Sequence, residues 1–344
     1  PGLNEASFEK ELLTVAKANP SNCDLYSSHM ASFVDAFATH VSPEGFDHHF
    51  WIAGGALAVE NCLKAAFDWK ARKLGRNSFD EDVNDLMVIH FQHAFHGRSG
   101  YTLSVTNTLP DKVGLFPKFR WPRISSPACE FDHDGNICND VEALEQQALS
   151  EMKAFRDRCP AGGNKIAAIL IEPMQCEGGD RTFRPEFLQA LRDFAHESEC
   201  LLIFDEVQTG FFGSGKPWYW QHSGATPDLV AFGKKSQVCG MYAGPRLDEV
   251  EDNVFRKSSR ISSTWGGGLT DMVRSRRFIE LIVEHGYCQN AHERGEQIKT
   301  GLRRIAKDTN KFTSVRGEGT LLAFDFANGE QRGEMLKKLY DHKV

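Results

Sequence analysis

The sequence has no apolar run long enough to cross a membrane and no cluster of basic residues. Its longest uncharged apolar stretches, such as residues 167–171 and 201–204, are far shorter than the roughly 20 residues that a membrane-spanning helix needs. The first five residues lack the basic start and the apolar core of a secretory signal. The net charge of −7 argues against non-specific binding to nucleic acid. We therefore expect no membrane span, no nucleic-acid partner and a small-molecule ligand.

Cysteine pairing motifs are also missing. The nine cysteines are an odd number, and none forms a C-x-x-C pair in this chain of 344 residues. Such usage predicts reduced thiols in a cytoplasmic protein. Hydrophobic residues make up 41% and charged residues 25% of the chain, which excludes a disordered, collagen-like or coiled-coil protein.

Short apolar runs separated by helical patterns predict an α/β fold. Residues 86–91, 166–171, 201–204 and 229–232 have the continuous apolar character of parallel strands that are covered on both faces. Helical periodicity lies between them and dominates after residue 270. We predict a large α/β domain over residues 1–272, with a mainly parallel central sheet and flanking helices. A smaller α+β domain is predicted to start at residue 273 and to run to residue 344.

Three chemically distinctive segments follow predicted strands, where open α/β sheets bind their ligands. They are Gly54-Gly55-Ala56 at the start of a helix, Asp205-Glu206, and Gly233-Lys234-Lys235. Taken singly, each has an ordinary explanation: a tight turn, a helix-capping acid pair and a surface lysine. Together they supply a phosphate cradle, a buried carboxylate and a lysine, which are the three anchors of pyridoxal 5′-phosphate.

Further motifs resemble the class III pyridoxal-phosphate-dependent aminotransferases of fold type I. Val-Gln-Thr-Gly follows Asp205-Glu206, and Lys234 comes 29 residues after Asp205. Within this family, the chain resembles most closely a subgroup that acts on the ε-amine of lysine. The segments that carry this closer resemblance are residues 54–61, 94–100, 116–119, 121–124, 178–181 and 263–267, whereas residues 172–175 belong to the class III pattern.

The resemblance implies a role for each residue around the cofactor ring. Lys234 is the implied Schiff-base lysine and the base of the reaction, with Lys235 as the competing candidate. Asp205 is implied to pair with the protonated pyridine nitrogen. Phe95 and Val207 are implied to pack on the two faces of the ring.

The resemblance also implies how the cofactor's oxygen atoms are held. Gly55 and Ala56 are implied to bind the phosphate through backbone N–H groups, and Gln208 to approach the phenolic oxygen and the substrate. Thr264 is implied to add a hydroxyl from the neighbouring subunit. That contribution implies a homodimer with shared active sites.

Substrate recognition is assigned in the same way. Arg98 is implied to bind the carboxylate remote from the reacting amine, and Glu177 to act as a catalytic switch between substrates of different charge. Cys176 stands where the family usually has glycine. A second substrate-binding arginine of the family has no match before Val344, so we expect a chain truncated at both ends, with an incomplete small domain.

The expected reaction transfers the ε-amino group of L-lysine to 2-oxoglutarate, giving 2-aminoadipate 6-semialdehyde and L-glutamate. Three alternatives stay open: another ω-amine substrate such as ornithine or 4-aminobutyrate, other chemistry of the same cofactor, and a cofactor-binding homologue without activity. Three histidine or aspartate clusters, at residues 48–49, 90–96 and 132–135, resemble metal ligands. None has a full ligand set, so we expect no metal, and we consider a place for His96 near the cofactor ring.

Overall fold

The computed structural model describes residues 9–18, 20–158 and 164–343. The expectations that concern residues 1–5 and Cys159 lie outside these residues. The helices of the described chain are α1 Glu9–Ala16, α2 Ser28–His40, α3 Gly55–Lys73, α4 Gly100–Val105, α5 Pro110–Val113, α6 Val141–Asp157, α7 Pro185–Glu197, α8 Leu269–Glu284, α9 Tyr287–Thr309 and α10 Gly329–Asp341.

The strands form one large sheet and two small ones. They are β1 His48–Ile52, β2 Met87–Phe91, β3 Arg123–Ile124, β4 Ile166–Ile171, β5 Met174–Gln175, β6 Arg181–Thr182, β7 Leu201–Glu206, β8 Leu229–Phe232, β9 Cys239–Ala243, β10 Thr313–Glu318 and β11 Leu321–Asp325. The seven-stranded sheet has the order β1-β9-β8-β7-β4-β2-β3. Strands β5 and β6 form one antiparallel pair, and β10 and β11 form the other.

The centre of the large sheet is parallel, as the apolar runs predict. Strands β2, β4, β7 and β8 pair in parallel with their neighbours in that group, and all four residues of β8 are buried. Helices cover both faces. Alternate side chains of β7 point into two different hydrophobic clusters, Leu202 and Phe204 into one and Leu201 and Ile203 into the other. The predicted α/β class is therefore confirmed.

Strand β9 is the element that the apolar pattern does not predict. It runs antiparallel between β1 and β8. Its sequence is short and contains a glycine, which weakens a strand signal. Gly240 is needed here because a Cβ atom would lie 2.4 Å from the carbonyl oxygen of Phe50 in β1.

The C-terminal part of the described chain is helical around one small sheet. Helix α8 ends before Gly286, which has a φ of 63° in the left-handed region that glycine tolerates best. The predicted domain boundary between residues 272 and 273 falls inside α8 and stays a prediction. Among the described residues, no helix is both long and apolar enough to span a lipid bilayer.

Candidate active site

A cavity of about 500 Å³ lies where the central parallel strands end. Its walls come from segments that follow β2, β4, β7 and β8 and from the first turn of α3. The sheet edge is the place where α/β folds bind ligands, because loops from neighbouring strands diverge there. The lining residues are Gly55, Ala56, Phe95, His96, Gly97, Arg98, Glu172, Glu177, Asp205, Val207, Gln208, Lys234, Gln237 and Cys239.

Asp205 is the buried acid of the cavity. Its Oδ2 atom lies 2.8 Å from Nδ1 of His96, and its Oδ1 atom accepts a hydrogen bond from the backbone N–H of Val207 at 3.0 Å. The other imidazole nitrogen, Nε2 of His96, is buried without a hydrogen-bond partner. A buried carboxylate therefore faces the cavity in a fixed orientation, with an imidazole behind it.

Glu206, the next residue, has a different environment. Its carboxylate accepts hydrogen bonds from the backbone N–H groups of Tyr219 and Trp220 and from the hydroxyl of Thr209. Burial raises the pKa of Glu206 to about 7, although these hydrogen bonds lower it. Consecutive strand residues point to opposite faces, so of the two acids only Asp205 lines the cavity.

Two adjacent lysines follow β8, and they have different positions. Lys234 lines the cavity and donates a hydrogen bond to Oε1 of Gln208. Lys235 donates to the backbone carbonyl of Gln208 instead, and burial lowers its pKa. The structure thus places Lys234, rather than Lys235, in the cavity wall.

The first turn of α3 forms another wall of the cavity. The first N–H groups of a helix have no partner within the helix, and the helix dipole makes this end attractive to anions. Gly55 and Ala56 begin this helix. A Cβ atom on Gly55 would lie 2.6 Å from Cγ1 of Val207, and one on Gly97 would lie 2.5 Å from Cβ of Ala56. The backbone therefore comes this close to its neighbours only because both positions are glycine.

Phe95 and Val207 supply the apolar part of the lining. The backbone N–H of Phe95 donates to Oε1 of Glu172 at 2.9 Å. Burial, together with the nearby charge of Asp205, raises the pKa of Glu172 well above its ordinary value. The Glu172 side chain therefore holds the loop that carries Phe95 in place. Its raised pKa favours the neutral carboxylic acid over the carboxylate.

Arg98 and Glu177 are the charged residues toward the outside of the site. Both line the cavity, and no acidic side chain of the described residues pairs with Arg98. Glu177 accepts hydrogen bonds from the hydroxyl of Thr108 at 2.9 Å and from Nζ of Lys112. Burial raises the pKa of Glu177, but these two bonds outweigh it and leave the pKa below its ordinary value.

Thr264 lies apart from the other predicted residues. It is not part of the cavity wall, and its carbonyl accepts a hydrogen bond from the Ser21 hydroxyl at 3.0 Å. All other cofactor-binding and substrate-binding residues expected from the sequence line the one cavity. The role of each of them stays a prediction.

The sequence left four lining residues without an expected role. They are Gly97, Glu172, Gln237 and Cys239. Gly97 and Glu172 lie inside motifs that carry the family resemblance. Gln237 and Cys239 carry no signal of their own, because only the turn after Lys234 and the start of β9 bring them to the cavity.

The histidines of the first cluster that resembles metal ligands contact other side chains. His48 contacts Asp248 at 3.0 Å and His49 contacts the Ser42 hydroxyl at 2.9 Å. Burial lowers the pKa of His90 to about 3, with smaller contributions from Arg123 and His96. Over the described parts of the chain, no group of three or more histidine, cysteine or acidic side chains could hold a metal ion.

Comparisons with known proteins agree on one family. The model of the class-III aminotransferase family matches residues 19–344. An L-lysine-epsilon aminotransferase of Amycolatopsis lactamdurans is 45% identical over 99% of this chain and 75% of its own length. A 4-aminobutyrate aminotransferase of Emericella nidulans is 29% identical over 94% of this chain and 68% of its own length. The solved structure of a lysine aminotransferase from M. tuberculosis superimposes with a TM-score of 0.90, at 45% identity, over 99% of this chain and 77% of that one.

Proposed function

The chain belongs to the class-III aminotransferases, which depend on pyridoxal 5′-phosphate, and we propose that it transfers the ε-amino group of L-lysine to 2-oxoglutarate. The products are then 2-aminoadipate 6-semialdehyde and L-glutamate. The observation that carries this proposal is one cavity lined by Lys234, Asp205, Arg98 and Glu177, in which no acidic side chain of the described residues pairs with Arg98. The higher identity to lysine aminotransferases than to a 4-aminobutyrate aminotransferase supports lysine as the amine.

The residues around the cavity fit pyridoxal 5′-phosphate. The helix end at Gly55 and Ala56 suits its phosphate, and the glycine at position 97 allows the close approach of backbone to this cradle. Asp205 supplies a buried negative charge for the ring nitrogen, and Lys234 supplies a primary amine for the aldehyde. Once bound, this cofactor provides an electrophilic carbon and a sink for the electrons left when a proton departs from the substrate.

The chain's own groups then have separate tasks. Asp205, held by His96 and by the N–H of Val207, keeps a proton on the cofactor's ring nitrogen. With the cofactor bound, Lys234 would be the base that takes the proton from the substrate's ε-carbon and the acid that gives the same proton up again within that half-reaction. Gln208 orients the Lys234 ammonium through its side-chain oxygen. Phe95 and Val207 exclude water from the ring.

Arg98 is proposed to bind the carboxylate far from the reacting carbon. Its planar guanidinium pairs well with a carboxylate through two parallel hydrogen bonds. In lysine that group is the α-carboxylate, and in 2-oxoglutarate it is the γ-carboxylate. One arginine therefore serves both substrates.

A homodimer with shared active sites is proposed as the working unit. The position of Thr264 away from the cavity of its own chain supports a contribution to the partner's site. Exposed Leu115, Phe116 and Phe119, on the loop that follows α5, support an apolar contact there. Mixing Lys234→Ala chains with Thr264→Ala chains tests this proposal: activity above that of either variant alone supports shared sites, and no increase contradicts them.

The eight free cysteines among the described residues support a cytoplasmic location.

The substrate is tested by steady-state kinetics on the purified protein with bound cofactor. Lysine, ornithine and 4-aminobutyrate are each supplied with 2-oxoglutarate, and glutamate is measured. We expect kcat/KM to be highest for lysine. A higher value for either other amine would overturn the lysine assignment and leave the family membership intact.

A further inference from the structure

Two neighbouring lysines bond the two carbonyl groups of a single glutamine. Nζ of Lys234 donates a hydrogen bond to Oε1 of Gln208, and Nζ of Lys235 donates one to the backbone carbonyl oxygen of the same residue. Lys234 and Gln208 line the cavity, whereas Lys235 does not. The main chain of Gln208 is therefore held from outside the cavity, while its side chain contacts Lys234 within it.

Lys235 has no acidic partner of its own. It is half-buried, and no carboxylate of the described residues forms an ion pair with it. The charge of Glu206 acts on Lys235, but the Glu206 carboxylate accepts its hydrogen bonds from the Thr209 hydroxyl and two backbone N–H groups. A partly buried ammonium that lacks an anion costs stability, and burial lowers its pKa accordingly. The contribution of Lys235 is therefore to be sought in the group that it bonds.

The stem of Lys235 runs along the loop that follows β7. A Cβ atom on Gly213 in this loop would lie 3.4 Å from Cε of Lys235 and 3.6 Å from Oγ1 of Thr320. Thr320, in the turn between β10 and β11, donates to the Gly213 carbonyl from its backbone N–H at 2.8 Å and from its hydroxyl at 2.9 Å. The loop is thus fixed on the side where the lysine stem packs, and this packing limits the positions that the ammonium can reach.

The turn that carries the two lysines has an unusual backbone. The φ angles of Lys234 and Gln237, 52° and 63°, lie in the left-handed region, which costs free energy for residues other than glycine. The backbone N–H of Gln237 closes the turn by donating to the Lys234 carbonyl at 3.0 Å. The bond from Lys235 to Gln208 then ties this turn to the loop after β7. The segments that supply Lys234 and Gln208 are therefore joined inside the cavity and again behind it.

We propose that Lys235 is a positioning residue for Lys234 and that it acts through Gln208. By holding the Gln208 main chain, it keeps the side-chain oxygen of Gln208 directed at Nζ of Lys234, so that this amine is presented to the cofactor's aldehyde. The inference rests on the proposed binding of pyridoxal 5′-phosphate at this site. A purely structural Lys235 would stabilise the turn, and its effect would not depend on the Gln208 side chain.

The test measures how fast the cofactor becomes attached to Lys234. Pyridoxal 5′-phosphate is added to the full chain freed of cofactor, and the amine joins the aldehyde carbon in a C=N bond with release of water. Absorbance follows the reaction over a range of cofactor concentrations. The limiting rate reports how the amine is presented, and the half-saturating concentration reports how the cofactor is bound. Borohydride reduction and mass spectrometry confirm the attached residue.

A double-mutant cycle separates the proposed role from a structural one. It comprises the wild type, Lys235→Met, Gln208→Ala and the double variant. Lys235→Gln is a second replacement that is too short to reach the carbonyl, and thermal unfolding checks that each variant folds. Lys216→Met is the matched control, because Lys216 also donates to the backbone carbonyl of a glutamine, Gln221, at 2.8 Å, and neither residue lines the cavity.

We expect Lys235→Met to lower the limiting rate about tenfold, which is the effect of one lost hydrogen bond to a charged group. The half-saturating concentration should not change, because the phosphate is bound at the start of α3. In the Gln208→Ala background the same replacement should lower the rate less than about twofold, since the side chain through which Lys235 acts is gone. Lys216→Met should keep the wild-type rate.

An equal effect of Lys235→Met in both backgrounds, or no effect in the single variant, would overturn the inference and leave the proposed function intact. A wild type that attaches no cofactor would overturn both. No amine substrate is used, so the choice between lysine and other amines is decided separately by the kinetic assay.

Discussion

Asp205 and His96 form a buried pair, with Oδ2 of the carboxylate 2.8 Å from Nδ1 of the imidazole and the side chains 5% and 0% exposed. The second carboxylate oxygen is held by the backbone N–H of Val207. Both oxygens are thus anchored before any ligand binds. This anchoring suits a site that needs a negative charge at a fixed position, because the Asp205 carboxylate does not have to reorient during the reaction.

Replacement of the charge at this position tests the role of Asp205. In Asp205→Asn we expect the transamination rate to fall about a hundredfold or more, because an amide cannot stabilise a protonated ring nitrogen. Single-turnover kinetics with lysine measure the effect. Asp180→Asn is the control, since burial already raises the pKa of that carboxyl and it lies outside the cavity. A rate in Asp205→Asn within tenfold of the wild type would contradict the assignment.

The two lysines after β8 can be separated by chemistry. After reduction with borohydride, we expect mass spectrometry to find the cofactor on the peptide carrying Lys234 and attached to that residue. Lys234→Ala should abolish both the attachment and the transamination. Lys235→Met should keep the attachment, because Lys235 bonds the backbone of Gln208 outside the cavity wall. Attachment to Lys235 in the wild type would reverse the two assignments.

Arg98 should affect both substrates alike. Arg98→Lys keeps the positive charge but loses the two parallel hydrogen bonds, so we expect KM to rise about tenfold for lysine and for 2-oxoglutarate. Arg120→Lys, at an exposed position of the following loop, is the control and should leave both constants unchanged. A rise for only one substrate would show that the two do not share this residue.

The sequence predicts the parts of the site that follow regular strands. Strands β4 and β8 have the predicted bounds, and Asp205 and Lys234 lie at the predicted strand ends. These elements are recognisable because burial on both faces demands a continuous apolar run. The helix start at Gly55 is also predicted locally, from a glycine pair that is followed by a helical pattern.

The rest of the site depends on contacts between distant segments. Lys112 and Glu177 are 65 residues apart, and no spacing rule links a lysine in a loop to an acid after another strand. Strand β9 is equally hidden, because the close approach of β1 at Gly240 decides its path. Gln237 reaches the cavity through the turn after Lys234, and Cys239 reaches it at the start of β9.

Glycine at position 97 should be required for the phosphate cradle. Its φ of 107° is strained for other residues, and an added Cβ would lie 2.5 Å from Cβ of Ala56. We expect Gly97→Ala to cost about 1–3 kcal/mol of stability and to weaken cofactor binding, measured by thermal unfolding and by cofactor titration. Gly100→Ala is the matched control, because a Cβ atom added there would have Oε1 of Glu60 as its nearest neighbour, at an ordinary contact distance of 3.7 Å. Similar effects from both variants would contradict the close-approach argument.

Glu206 should make stability depend on pH in a defined direction. The pKa of Glu206 is about 7 in the folded protein, against an ordinary value of 4.5. Between these values the folded protein retains a proton that the unfolded chain has released, so stability falls as pH rises. The total loss for this group is about 3 kcal/mol, and it is complete above pH 7.

Glu206→Gln isolates this contribution because an amide does not titrate. The variant loses stability at low pH, since its NH₂ group must face one of the backbone N–H donors of Tyr219 and Trp220. We expect the stability advantage of the wild type to shrink steadily from pH 4.5 to 7 in urea unfolding experiments. Parallel stability curves for the two proteins would mean that Glu206 keeps its ordinary pKa despite complete burial. The three hydrogen bonds to its carboxylate would then outweigh the desolvation that raises the pKa here.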